Sequence, residues 1–139
     1  TLEQRIERLL AGGGFPESFL RPQDSKRLLV DRLNYVLRED LRDIHDSNYI
    51  RGMEVLIDLL RERVGKNLNY ANLAQDIGVS PPTVKKWISV LERLYIIFLI
   101  RPYSRNIAQA IRKEPKVYFF DCSASFEDPG ARLENLAAC

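Results

Sequence analysis

Along most of this chain apolar residues return every third or fourth position, which gathers them on one side of a helix. Leu2, Ile6, Leu9 and Leu10 predict a short amphipathic helix to Ala11, and the glycines at 12–14 stop it by accepting a left-handed backbone. Phe15-Pro16 then predicts a rigid turn. Leu28, Leu29, Leu33, Val36, Leu37, Leu41 and Ile44 predict a long helix capped at Asp24-Ser25. A third helix, from Asp46-Ser47-Asn48 to Val64, is expected to bury Ile50, Met53, Leu56, Ile57 and Leu60, with Gly65 as its stop.

Residues 68–94, LNYANLAQDIGVSPPTVKKWISVLERL, hold two shorter helices around a glycine turn. Asn69 caps the first, Leu73 and Ile77 face inward, and Ala74 is small enough for a second helix to cross closely. Gly78 makes the turn, Val79 fills the space between the helices, and Ser80 caps the second with Pro81 at its first position. Val84, Trp87, Ile88, Leu91 and Leu94 form the inner stripe of that helix, leaving Thr83, Lys85, Lys86 and Ser89 outward. A helix-turn-helix needs this division, one face welding the pair and short polar or basic residues pointing away. Ile96 to Tyr103 then reads as a strand, residues 104–114 as a polar, basic loop, and Lys116 to Phe120 as a second strand. Helix, helix, strand, basic loop, strand is the order of a winged helix. The expected fold class is therefore mainly α with a small β wing. Tyr95 to Ile100 is apolar at every position, and a strand with one wet face alternates, so cover on both faces is expected.

The net charge of +2 conceals a division. Residues 65–118 carry 9 Lys/Arg against 3 Asp/Glu, whereas 1–64 and 119–139 are slightly acidic. A localised positive field is the first requirement for holding a polyanion, and DNA is the expected partner. Lys85, Lys86, Arg105, Arg112 and Lys113 are placed to meet phosphates, with Arg101 and Lys116 beside them, while Thr83, Lys86 and Ser89 are placed to reach base edges. Pro81 and Pro82 weigh the other way, since they remove two backbone donors from a helix start. The other expectation, from the apolar strand, is a module that holds neighbouring domains or subunits together.

Enzymatic chemistry has no motif behind it. No G-x-x-x-x-G-K-[ST] occurs, and the glycines at 12–14 follow a helix and lack the lysine. His45, the only histidine, sits beside Asp46 near a helix end and reads as a cap or surface residue. Cys122 and Cys139 lack metal-site spacing and read as reduced thiols. With no signal peptide and no apolar run of spanning length, a cytoplasmic protein away from membranes is expected.

Five stretches in order carry a resemblance: Gly13-Gly14-Phe15-Pro16-Glu17, the winged-helix pattern, Pro102-Tyr103-Ser104-Arg105-Asn106, Lys116-Val117-Tyr118-Phe119-Phe120-Asp121 and Leu133-Glu134-Asn135-Leu136. Together the chain resembles the C-terminal part of predicted AAA+ superfamily ATPases whose C-terminal domain is of unknown function. The resemblance implies a helical lid-like segment at 1–47, a winged helix at 48–121 and, at 122–139, the start of a truncated nuclease-like domain. It implies a parent ATPase that uses ATP and magnesium, whereas this fragment holds no cofactor or metal and is not an enzyme. The missing ATPase core and C-terminal domain become expected partners, and an oligomer is compatible with this. Arg32, Arg38 and Arg42 could reach nucleotide as lid arginines do, or form a salt-bridged surface; Glu134 could be one ligand of a metal site that cannot close, or an exposed glutamate. Where the family reads Asp-Thr-Gly-Leu, this chain has Asp121-Cys122-Ser123-Ala124, and its last helix is too short to pack as relatives would pack it.

Overall fold

The computed structural model describes residues 1–24, 27, 31, 35, 47–103, 105, 113–121 and 128–139. Helix α1 (Leu2–Gly12) opens with a capping box in which the Gln4 side chain accepts from the Thr1 amino group at 2.9 Å. The Phe15-Pro16 turn is instead the start of a short helix, α2 (Pro16–Leu20), since proline at the first helical position loses no hydrogen bond. A 3₁₀ turn, Pro22–Asp24, follows. Most of the predicted long helix lies outside the described residues; Arg27, Asp31 and Tyr35 within it are helical, with Arg27 3.6 Å from Asp31.

Helix α3 (Ser47–Arg61) stops three residues short of Val64. The reason is tertiary. Val64 bridges Val117 in parallel and Asn67 bridges Lys116 antiparallel, with Gly65 N–H donating to Val117 O at 3.1 Å and Leu68 N–H to Pro115 O at 2.8 Å. Residues 64–68 therefore leave the helix to line an edge of the second strand. Helices α4 (Tyr70–Ile77) and α5 (Pro81–Arg93) form the pair, joined through Gly78 at φ 79°, whose N–H closes on Ala74 O at 2.9 Å. Asn69 and Ser80 cap as expected, accepting from the backbone of Asn72 and Thr83.

Strands β1 (Ile97–Ile100) and β2 (Lys116–Phe119) pair antiparallel, Ile97 opposite Phe119 and Leu99 opposite Val117. One core joins these elements: Met53, Leu56 and Leu60 of α3, Leu73 of α4, Val84, Ile88 and Leu91 of α5, and Ile97, Val117 and Phe119 of the sheet, all buried. Each such side chain contributes roughly 1.5–3 kcal/mol by leaving water. Trp87 lies at the centre, 5% exposed, its ring edge-to-face with Tyr49 at 5.4 Å. Gly52 of α3 makes room for it, because a Cβ there would come within 2.4 Å of the indole.

The two faces of the sheet are covered unequally among the described residues. Ile97 is buried in the core and Leu99 packs against it, but on the opposite face Phe98 stacks on Tyr118 at 5.6 Å and Ile100 is exposed. The sheet's second face is aromatic rather than wet, which is why the strand has no polar alternation.

Helix α6 (Pro129–Ala138) is short, yet it is packed. Asn135 is fully buried and pairs like a strand residue: its Oδ1 accepts from Phe119 N–H at 2.8 Å and its Nδ2 donates to Phe119 O at 2.9 Å. Arg132 donates to the carbonyl of Leu10, tying α6 to α1. No helix among the described residues is long and apolar enough to cross a membrane.

Candidate nucleic-acid interface

The inner stripe of α5 is buried through Val84, Trp87, Ile88 and Leu91, so its opposite side must face solvent. Lys85, Lys86 and Ser89 are exposed there as expected. Thr83 is only partly exposed, because its hydroxyl is engaged with Ser80 Oγ at 2.8 Å at the helix cap. It is the weakest of the expected base-reading residues. Arg93, absent from the residues expected to bind, is exposed and lies seven residues after Lys86 and four after Ser89. That spacing puts Lys86, Ser89 and Arg93 on one helix face. Periodicity is the signal that could have found it, masked by the position of Arg93 at the very end of the element.

Lys85 stands on the flank of this stripe, its ammonium 5.4 Å from the centre of the Tyr70 ring. Tyr70 begins α4. Burial raises its hydroxyl pKa; the nearby Arg101 cation opposes that rise, and Glu92 and Glu114 add to it. Tyr70 thus lies beside Lys85 of α5 and within electrostatic reach of Arg101, the residue after β1. Asn69 makes a second tie: its Oδ1 caps α4 while its Nδ2 donates to Glu114 Oε1 at 2.9 Å. The start of the helix pair is therefore fastened to the residues that lead into β2.

Of the expected wing residues, Arg105 and Lys113 are exposed. Lys113 lines a groove of about 340 Å³ with Asn67, Ile100, Arg101, Pro102, Glu114 and Lys116. Lys116 is committed elsewhere, 3.3 Å from Glu134. Arg112 lies outside the described residues, as do His45, Arg32, Arg38, Arg42 and Cys122.

Glu134 is an exposed helix glutamate, the second of its two expected readings, but one with partners. It accepts from Tyr118 OH at 2.9 Å and from Lys116 Nζ, and it lies against Gly65, where a Cβ would sit 2.6 Å from its carboxylate. Burial and the adjacent carboxylate both raise the Tyr118 pKa. Among the described residues no group of His, Cys, Asp and Glu is placed to hold a metal. Cys139 donates its thiol to Phe119 O at 3.3 Å, beside the Asn135 amide.

Residues 3–125 match the profile of a domain of unknown function, DUF8612. The chain belongs to this family. The DUF8612 segment includes the whole helix pair and both strands of the sheet, and ends before α6. Its description names no activity, and nothing in the match ties it to AAA+ ATPases. Neither curated proteins nor solved structures gave a match.

Proposed function

We propose that this chain is a winged-helix module that binds nucleic acid without catalysis, within a protein resembling the AAA+ ATPases described above. The observation that carries the reading is the stripe Lys86, Ser89 and Arg93, exposed on the side of α5 opposite a fully buried face. A recognition helix is presented in this way, its inner side welded to a partner helix and its outer side carrying cations and short polar groups. The fold order supports it: helix α3, an edge segment, two helices, and a two-stranded hairpin whose second strand takes that edge segment on its far side. Arg101, Arg105 and Lys113 would meet phosphates from the wing. Without a phosphate loop, the chain by itself is expected to leave ATP intact.

Fluorescence anisotropy across a salt series tests this. A labelled duplex should bind with affinity that falls steeply as salt rises, because cations on the protein release counterions from the DNA. Lys86→Ala and Arg93→Ala should each weaken binding, a phosphate contact lowering the salt slope by about 1. Flat, undetectable binding at low salt would overturn the proposal.

A second reading, a structural module that docks onto a neighbour, has its own observation. Leu2, Leu20 and Leu133 are exposed on α1, α2 and α6, of which α1 packs beside both of the others. Such a surface suits a neighbouring domain better than it suits water. Absence of nucleic-acid binding, together with self-association or domain docking that Leu20→Glu and Leu133→Glu abolish, would favour it.

A further inference from the structure

Helix α5 ends in a motif that ordinarily calls for glycine. Ile96 N–H donates to Leu91 O at 3.0 Å and Tyr95 N–H to Glu92 O at 3.1 Å, the paired closing bonds of a Schellman C-cap. In that motif the residue past the cap must be left-handed, and Tyr95 sits at φ 53°. It is the one non-glycine residue with positive φ among the described residues; Gly13, Gly65 and Gly78 hold the others. A Cβ there is strained, and a bulky ring more so. Local backbone chemistry does not explain a tyrosine at this position.

Nor does burial. Tyr95 is 74% exposed, its ring meeting Phe120 edge-to-face with centres 5.7 Å apart. Phe120 is itself 39% exposed and packs on Phe98 at 4.9 Å, which stacks in turn on Tyr118. An outer ring is thus held in place by a run of inner ones, with much of its surface in water. Arg93 lies two residues before it, exposed at the end of the α5 stripe. An anchored, exposed aromatic at the end of a cationic stripe is an arrangement on which unpaired bases stack while their phosphates are neutralised.

We propose that Tyr95, backed by Phe120, is a stacking shelf for an unpaired nucleobase, so that the nucleic acid recognised carries a single-stranded segment adjoining a duplex. This rests on the reading of α5 as the duplex-binding helix and names the class of nucleic acid it serves. The strained backbone places the ring just beyond Arg93, where a strand leaving the α5 stripe would pass. The aromatic face supplies stacking that does not depend on base identity, so little sequence preference is expected in the single-stranded part.

Anisotropy with three labelled probes tests this on the whole chain: a blunt duplex, the same duplex with a ten-nucleotide thymidine tail, and the tail strand alone. The tailed duplex should bind roughly ten-fold more tightly than the blunt one. Tyr95→Gly should erase that preference, leave blunt-duplex binding unchanged and raise the melting temperature by a few degrees, because glycine relieves the left-handed strain. Tyr95→Phe should retain the preference, and 2-aminopurine in the tail should be quenched by the wild type and not by Tyr95→Gly. Equal binding of blunt and tailed duplex, or a preference that survives Tyr95→Gly, overturns the shelf while leaving the duplex reading intact. Binding of the single strand alone, abolished in Tyr95→Gly, supports the shelf and overturns the duplex reading. No binding of any probe overturns both, as does self-association of the wild type that Tyr95→Gly abolishes.

Discussion

The N-terminal helices and the helix pair are both well made locally, yet among the described residues only the helix pair is built into the buried core. Helix α1 has a complete capping box and an amphipathic pattern, but Leu2 is 74% and Leu20 of α2 is 70% exposed. Helices α4 and α5 have the same quality of caps, and their inner residues are buried against α3 and the sheet. Capping and periodicity thus specify that a helix forms and which side is apolar. They do not specify what covers that side, which depends on another element arriving there.

The sharpest way to break this contrast is Trp87→Ala. Removing the indole from between Gly52, Tyr49 and the α5 stripe should cost about 3–5 kcal/mol, seen as a large fall in urea midpoint. A small loss would mean that the core is not organised around this ring. Asn135→Ala comes next, at roughly 1–3 kcal/mol, because it leaves the buried Phe119 N–H without its Asn135 acceptor and the Phe119 carbonyl with only the weaker Cys139 thiol donor. Hydrogen exchange should report faster exchange at the Phe119 amide, and unchanged protection there would refute the strand-like role of the Asn135 side chain.

Tyr118→Phe is expected to cost about 1–2 kcal/mol through its bond to Glu134. Its pH dependence follows from the raised hydroxyl pKa, caused first by burial and then by the Glu134 carboxylate. A raised folded-state value means the folded protein holds its proton more tightly than the unfolded chain, so this contribution is complete below the unfolded value of about 10 and drains away as pH climbs above it. Chemical denaturation from pH 8 to 11 should show a shallower alkaline loss in Tyr118→Phe than in the wild type. The smallest effect belongs to the other side of the contrast: Leu2→Ala and Leu20→Ala should each change stability by no more than about 0.5 kcal/mol. A loss comparable with that of Trp87→Ala would show that the N-terminal helices share the core after all.

The candidate site was legible in the same uneven way. Lys85, Lys86 and Ser89 could be placed outward from spacing alone, because the inner stripe of α5 fixes the opposite side. Thr83 could not be judged, since a side chain one turn into a helix also serves the cap, and only the geometry shows Ser80 engaging it. Tyr95 was hidden for a different reason. Written between Leu94 and Ile96 it extends an apolar run, and a left-handed backbone leaves no trace in sequence when glycine is not the residue adopting it.

By itself the sequence determined what acts over short distances: the caps at Asn69 and Ser80, the turn at Gly78, the buried stripe of α5 and the concentration of cations in residues 65–118. Those features depend on residues within about one helical turn of each other, or on a sum over a segment. Tertiary structure alone decided that residues 64–68 would leave α3 for the edge of β2, that Asn135 would pair with Phe119 sixteen residues away, and that Glu134 would be held by Tyr118 and Lys116. Each of these is a hydrogen bond between segments whose local patterns are silent about one another. They form because a polar group of the backbone or of a side chain that leaves water must find a partner, and only the assembled fold determines which group is near enough to be that partner.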